Sequence, residues 1–105
     1  MAFDALEQAL EVVKQLTPIE DRISQKNREL YAQLSDAAMR MTLCISEGRG
    51  RTRGDRRKLY ETAAGSAAEV TDALRIAHAK GWISDTAAVD THLDRVRAML
   101  WRLTH

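Results

Sequence analysis

Residues 84–103 read SDTAAVDTHLDRVRAMLWRL, and within them Val89, Leu93, Val96, Leu100 and Leu103 recur at alternating steps of four and three. That spacing puts all five on one side of a helix and makes the seam of a helix bundle. Ser84 or Asp85 supplies the N-cap oxygen for a helix over about 85–103. Working toward the N-terminus, the same period continues. Leu59, Ala63, Ala67, Val70, Leu74 and Ala77 share one side of a helix over about 55–80, capped by Asp55 and stopped at Gly81, with the cation of Lys80 well placed at its C-terminal end. Before it, a helix over about 27–47 starts at Asn27 and buries Leu30, Leu34, Ala37, Ala38, Met41, Cys44 and Ile45, with Gly48 as its left-handed terminator. Between these two helices, residues 49–54 run Arg-Gly-Arg-Thr-Arg-Gly, without a hydrophobic residue and with two glycines, and read as a loop.

The first segment carries two stripes, Phe3, Leu6, Leu10 and Val13 beside Val12, Leu16, Ile19 and Ile23. The second stripe runs past Pro18, which predicts one long helix over about 3–25, kinked where Pro18 lacks a donor. Thr17-Pro18-Ile19-Glu20 also matches a helix start, with Thr17 capping the Glu20 amide, so a break at Pro18 is the alternative. Clusters of β-branched and aromatic residues typical of strands are missing. The expectation is an all-α, antiparallel up-down-up-down four-helix bundle spanning residues 1–105 as one domain, because short connections force consecutive helices to run in opposite directions. That topology gathers the turn between the second and third helices, the start of the first and the end of the fourth at one end. Arg97 and Arg102, with Asp4 and Glu7, then join the basic residues of the turn.

A chain of 105 residues, 45% hydrophobic and 30% charged, suits one compact domain better than two. The single cysteine, Cys44, excludes an internal disulfide, and no apolar stretch approaches the ~18 residues of a membrane span. A cytoplasmic protein without membrane association is expected. The formal net charge of +1 argues at first against a polyanionic partner, yet it averages opposed regions. Residues 1–48 carry −3, residues 49–58 carry +5, and residues 59–105 carry −1.

Three short blocks resemble a known family. Gln33-Leu34 with Ala37-Ala38, then Ile45-Ser46-Glu47-Gly48-Arg49-Gly50-Arg51, and above all Gly65-Ser66-Ala67-Ala68-Glu69-Val70 are similar to the four-helix bundle proteins named for 23S ribosomal RNA intervening sequences. More distantly the chain resembles the accessory variability determinants of diversity-generating retroelements, which bind nucleic acid and a reverse transcriptase. The family carries an asparagine where this chain has Cys44 and a proline where it has Thr42. The resemblance implies an antiparallel four-helix bundle and a ring-like homo-oligomer, pentameric in the family. The ribosomal part of the name describes where some of the genes lie and assigns no biochemical role.

Arg49, Arg51, Arg53, Arg56, Arg57 and Lys58 are the candidate nucleic-acid-binding residues, with Arg97 and Arg102 flanking. Guanidinium forks and the amides of a glycine-containing turn suit phosphate oxygens, whereas a solvated loop that keeps the chain soluble is the plainer reading. No RNP-type aromatic motif or zinc finger accompanies them, so binding through backbone charge without sequence readout is expected. Gly65, amid Ala63, Ala64, Ser66, Ala67 and Ala68, points to close approach of another helix, from this chain or a second copy. Glu69 is either solvated or an ion-pair partner for an arginine. Trp101 forms either the edge of the core or an anchor for a partner.

Glu47 reads as a structural carboxylate that orients the turn. His78, His92 and His105 do not make a ligand spacing, and Cys44 reads as a small buried hydrophobe. Without a nucleophile–base pair, metal cluster or nucleotide-binding turn, the expectation is a protein that is not an enzyme and needs no cofactor or metal. Its partners are expected to be further copies of itself and RNA or DNA. The alternative is a protein-binding scaffold or adaptor, for example an accessory subunit of a reverse transcriptase.

Overall fold

The structure, a computed structural model, describes residues 4–105; Phe3 of the first apolar stripe lies outside the described residues. Among the described residues the chain is all α, with helices α1 (Asp4–Lys26), α2 (Arg28–Gly48), α3 (Arg53–Ala79) and α4 (Ala87–Thr104). None of the described helices is long and apolar enough to cross a membrane. α1 packs on α2 and α4, and α3 packs on the same two, so the helices stand as the four sides of a box around one core. The molecule measures 42 × 23 × 20 Å. Its longest dimension is that of α3 alone, whose 27 residues rise about 40 Å.

Helix α1 runs unbroken through Pro18. Thr17, the alternative cap, instead donates its hydroxyl back to the Val13 carbonyl at 3.3 Å, as a residue inside a helix does. What keeps the helix whole is burial: Val12, Leu16, Ile19 and Ile23 all face the core, and a break at Pro18 would turn half of that stripe away. Of the other stripe, Leu6 is half-buried while Leu10 and Val13 are exposed. The core side of α1 is completed by Ala5 and Ala9.

Asn27 caps α2 as its sequence suggests, its side chain accepting from the Leu30 amide at 2.8 Å. The end of α2 differs from expectation. Gly48 is the last helical residue, not a left-handed one beyond it, and Arg49 follows in right-handed geometry at φ −68° and ψ −19°. Glycine is needed here for space: a Cβ on Gly48 would lie 2.5 Å from Tyr60 Cε1, a ring that is itself almost completely buried. Cys44, Met41 and Ile45 are buried as read from the sequence.

α3 ends in the glycine turn that its sequence announces. Gly81 takes φ +75°, its amide bonds the His78 carbonyl at 2.9 Å, and the Trp82 amide reaches back to Ala77 at 3.0 Å. That pair of bonds is the Schellman pattern. α4 begins at Ala87, later than the expected 85; Asp85 still bonds a free amide of its first turn, accepting from Ala87 N at 3.0 Å. On α4 the seam Val89, Leu93, Val96, Leu100 is buried, but Leu103 is exposed and Thr104 takes the core position. The seam repeats every ~3.5 residues against the ~3.6 of the helix, so along Val89, Val96 and Leu103 it drifts away from the core side while the row ending at Thr104 drifts toward it. The Thr104 hydroxyl satisfies itself on the Leu100 carbonyl at 2.8 Å.

Candidate functional site

Leu59 and Tyr60 mark where α3 joins the core. Tyr60 is buried and Leu59 half-buried, whereas every residue from Arg49 to Lys58 is exposed. Because Tyr60 lies against Gly48, the final residue of α2, the first two turns of α3 continue past the point where α2 stops. All six basic candidates, Arg49, Arg51, Arg53, Arg56, Arg57 and Lys58, sit on this projection and the short turn leading into it.

The turn is shorter than its sequence suggests. Residues 49–52 alone are non-helical, and Arg53, Gly54 and Asp55 already belong to α3, with Thr52 in the N-cap position. Asp55, the expected cap, is therefore an acidic residue of the first turn, where it complements the helix dipole. Two tight bonds fold the turn, Gly50 N–H to the Glu47 carbonyl and Arg51 N–H to the Gly48 carbonyl, both at 3.1 Å. The first bond is made by the backbone carbonyl of Glu47, which any residue would supply, and not by its carboxylate. Arg53 takes the left-handed φ of +45°, a conformation that costs an L-residue roughly 1–2 kcal/mol. Glycines flank that position on either side, at 50 and 54, and neither has a positive φ.

The six cations divide by what holds them. Arg56 donates Nε to the Arg51 carbonyl at 3.0 Å, so it fastens the turn to the helix. Arg57 lies 3.4 Å from Glu61 in an exposed pair one turn along. Arg51 and Lys58 share an open groove with Glu47, Asp55, Leu59 and Thr62. Burial pushes the Tyr60 phenol up, an effect that the nearby Arg56 and Arg49 charges partly offset. The cations therefore surround a protruding helical tip on several sides. Exposure leaves their charge open to solvent and to anions, and little desolvation accompanies a phosphate contact.

Arg97 is not part of this tip. Its Nη1 lies 3.4 Å from Thr71 Oγ1, and between Arg53 and Thr71 α3 rises by about 27 Å. Glu69 pairs with Arg40 at 3.0 Å across α2 and α3, the interhelical role open to it from sequence. Gly65 contradicts the intrachain reading: it is exposed, and a Cβ added there would meet nothing within 4 Å.

Elsewhere, His92 Nδ1 lies 2.6 Å from Gln8 Oε1 and ties α4 to α1. Burial pushes the Cys44 thiol up, with the Glu47 charge adding to it and Arg40 opposing, so the thiolate is disfavoured. A feature that the sequence did not single out lies at the end of α4. There the His105 ring stacks on Trp101 with centroids 4.3 Å apart and planes at 10°. The i,i+4 spacing of two aromatic rings was the available signal.

The 23S rRNA-intervening sequence protein family matches residues 2–102 of the chain. No curated protein and no solved structure matches it. A match from one end of the fold to the other, over four helices in the order described, places the glycine–arginine turn and the Gly65–Val70 block inside one family framework. The chain belongs to the 23S rRNA-intervening sequence protein family.

Proposed function

We propose that this protein is a non-enzymatic, oligomeric, antiparallel four-helix bundle that holds RNA or DNA by the phosphate backbone. The observation that carries the reading is the collection of six cations, against the single carboxylate of Asp55, on residues 49–58 of an exposed tip. Local charge of +5 on a projection attracts a polyanion over a Debye length, while the −3 of residues 1–48 discourages contact elsewhere. Opposed helix directions are supported by register: on α2 and α3, residue 48 meets residue 60 and residue 40 meets residue 69, so one number falls as the other rises. For α4 the support is separate: Thr86 shares a groove with Leu74 and His78 near the end of α3, while Arg97, farther along α4, meets Thr71, so the last turn of α4 lies toward the basic tip.

Self-association is supported by apolar side chains that the single chain leaves in water. Met39 and Leu43 lie one turn apart on α2, 57% and 55% exposed, and Leu10 and Val13 form a second exposed pair on α1. Gly65, open on the outside of α3 near the level of Leu43, leaves room for another copy to come close. A ring of five, the state implied by the family, repeats the basic tip once per subunit and turns a weak contact into a multivalent one. The same apolar faces also suit an adaptor that binds a protein such as a reverse transcriptase.

The test is the affinity of the variant Arg51→Ala/Arg53→Ala/Arg57→Ala/Lys58→Ala for short RNA and DNA at low salt. Arg56 is left in place because it holds the turn. A loss of tenfold or more is expected, and unchanged affinity would overturn the reading.

A further inference from the structure

Trp101 is the most exposed large hydrophobic residue of the described chain, at 60%, although it lies in the last turn of a helix with a well-filled core side. Its helical neighbours at three and four residues are Arg97, Ala98, Thr104 and His105, so one aromatic ring stands among two cationic or ionisable groups. The His105 ring lies nearly parallel to it and is held there by Nδ1 contacts to the Trp101 carbonyl at 3.0 Å and the Thr104 hydroxyl at 3.2 Å.

The neighbouring helix supplies a path from this ring to the basic tip. Arg97, one turn before Trp101, touches Thr71 of α3. Stepping from Thr71 toward the start of α3 at three or four residues gives Ala68, Ala64, Glu61 and Arg57, which share one side of the helix. Ala64 and Ala68 are half-buried methyls, so the outer groove between α3 and α4 has a low floor there. Arg57 stands at one end of that floor, and Arg97 and Trp101 border the other.

We infer that this groove takes a single-stranded nucleic-acid segment, its phosphates on Arg57 and Arg97 and one base stacked on Trp101. The inference rests on the nucleic-acid reading and adds to it the form of the strand. A base in a duplex is already stacked and cannot use the ring, whereas an unpaired base gains by covering an exposed aromatic face. Along the helix axis, Arg57 and the level of Trp101 are separated by roughly 10 to 15 Å, well inside the reach of the ~4 or more nucleotides that small single-strand sites cover.

Trp82 is the other tryptophan, so the variant Trp82→Phe makes Trp101 the sole indole reporter. In that background, titration with a 12-nucleotide oligo(dT) or oligo(U) at low salt is expected to quench Trp101 emission, and a 12-base-pair duplex is expected to bind without quenching. In an otherwise unchanged chain, Trp101→Ala is expected to weaken single-strand binding about tenfold and to leave duplex binding within twofold, with Trp101→Phe falling between. Binding of the single strand with no change in Trp101 emission would overturn the stacking role and leave the basic tip standing. Loss of self-association in Trp101→Ala, with single-strand affinity per subunit unchanged, would assign the ring to a second copy and equally overturn it. If the unsubstituted chain binds neither nucleic acid, both this inference and the reading beneath it fall.

Discussion

At Gly48 a single methyl group decides whether α2 and α3 close. The added carbon would lie 2.5 Å from Cε1 and 2.9 Å from Cδ1 of Tyr60, a ring with no free space to retreat into. Gly48→Ala is therefore expected to destabilise the fold by about 1–3 kcal/mol in urea unfolding. Combining it with Tyr60→Leu should show strong positive coupling, because the smaller side chain makes room for the methyl. Glu20 offers a second test at this scale. Partial burial, with the Asp21 charge beside it, pushes its carboxyl up, so the fold favours the protonated form and that contribution is lost as pH rises through the carboxylate range. Glu20→Gln should then raise the melting temperature at pH 7, with the advantage shrinking toward pH 4. The Gly48–Tyr60 contact could not be read from sequence, since the two are twelve residues apart and a glycine before a basic turn ordinarily signals a left-handed terminator.

Among the elements, α1 shows burial overriding a local signal. Pro18 leaves the Lys14 carbonyl without its helical donor, but a continuous stripe from Val12 to Ile23 outweighs that loss. Pro18→Ala, at an exposed position, should restore the bond and stabilise the protein by about 1–3 kcal/mol, measured by the midpoint of urea unfolding. The number, order and core faces of the helices were legible because Leu, Ile and Val recur at helical spacing in each. Their ends were less so. α3 starts at Arg53, two residues before the expected Asp55, with the Arg56 side chain tied back to the Arg51 carbonyl, a contact that propensity does not announce. α4 loses Leu103 from its seam to ordinary helical drift, and with it the expected apolar contact near the C-terminus.

For the whole molecule, the near-neutral total conceals a separation of charge along its length, and that separation survives folding because residues 49–58 remain outside the core. The candidate cations were legible from their clustering; their division into Arg56, which supports the turn, and Arg51 and Lys58, which face an open groove, was not, because it depends on where α2 stops. Exposed Met39 and Leu43 make a separate claim about assembly. The double variant Met39→Glu/Leu43→Glu should lower the mass in sedimentation equilibrium toward that of one chain, 11.8 kDa, while leaving the helical circular dichroism intact. On the proposed reading, the tip releases counterions when it binds phosphates. The most direct test is the slope of log affinity against log salt concentration for a short oligonucleotide, compared between the unsubstituted chain and Arg51→Ala/Arg53→Ala/Arg57→Ala/Lys58→Ala. Removing four phosphate contacts should make the slope shallower by about 3 to 4 for each tip engaged, and equal slopes at equal affinity would contradict the account.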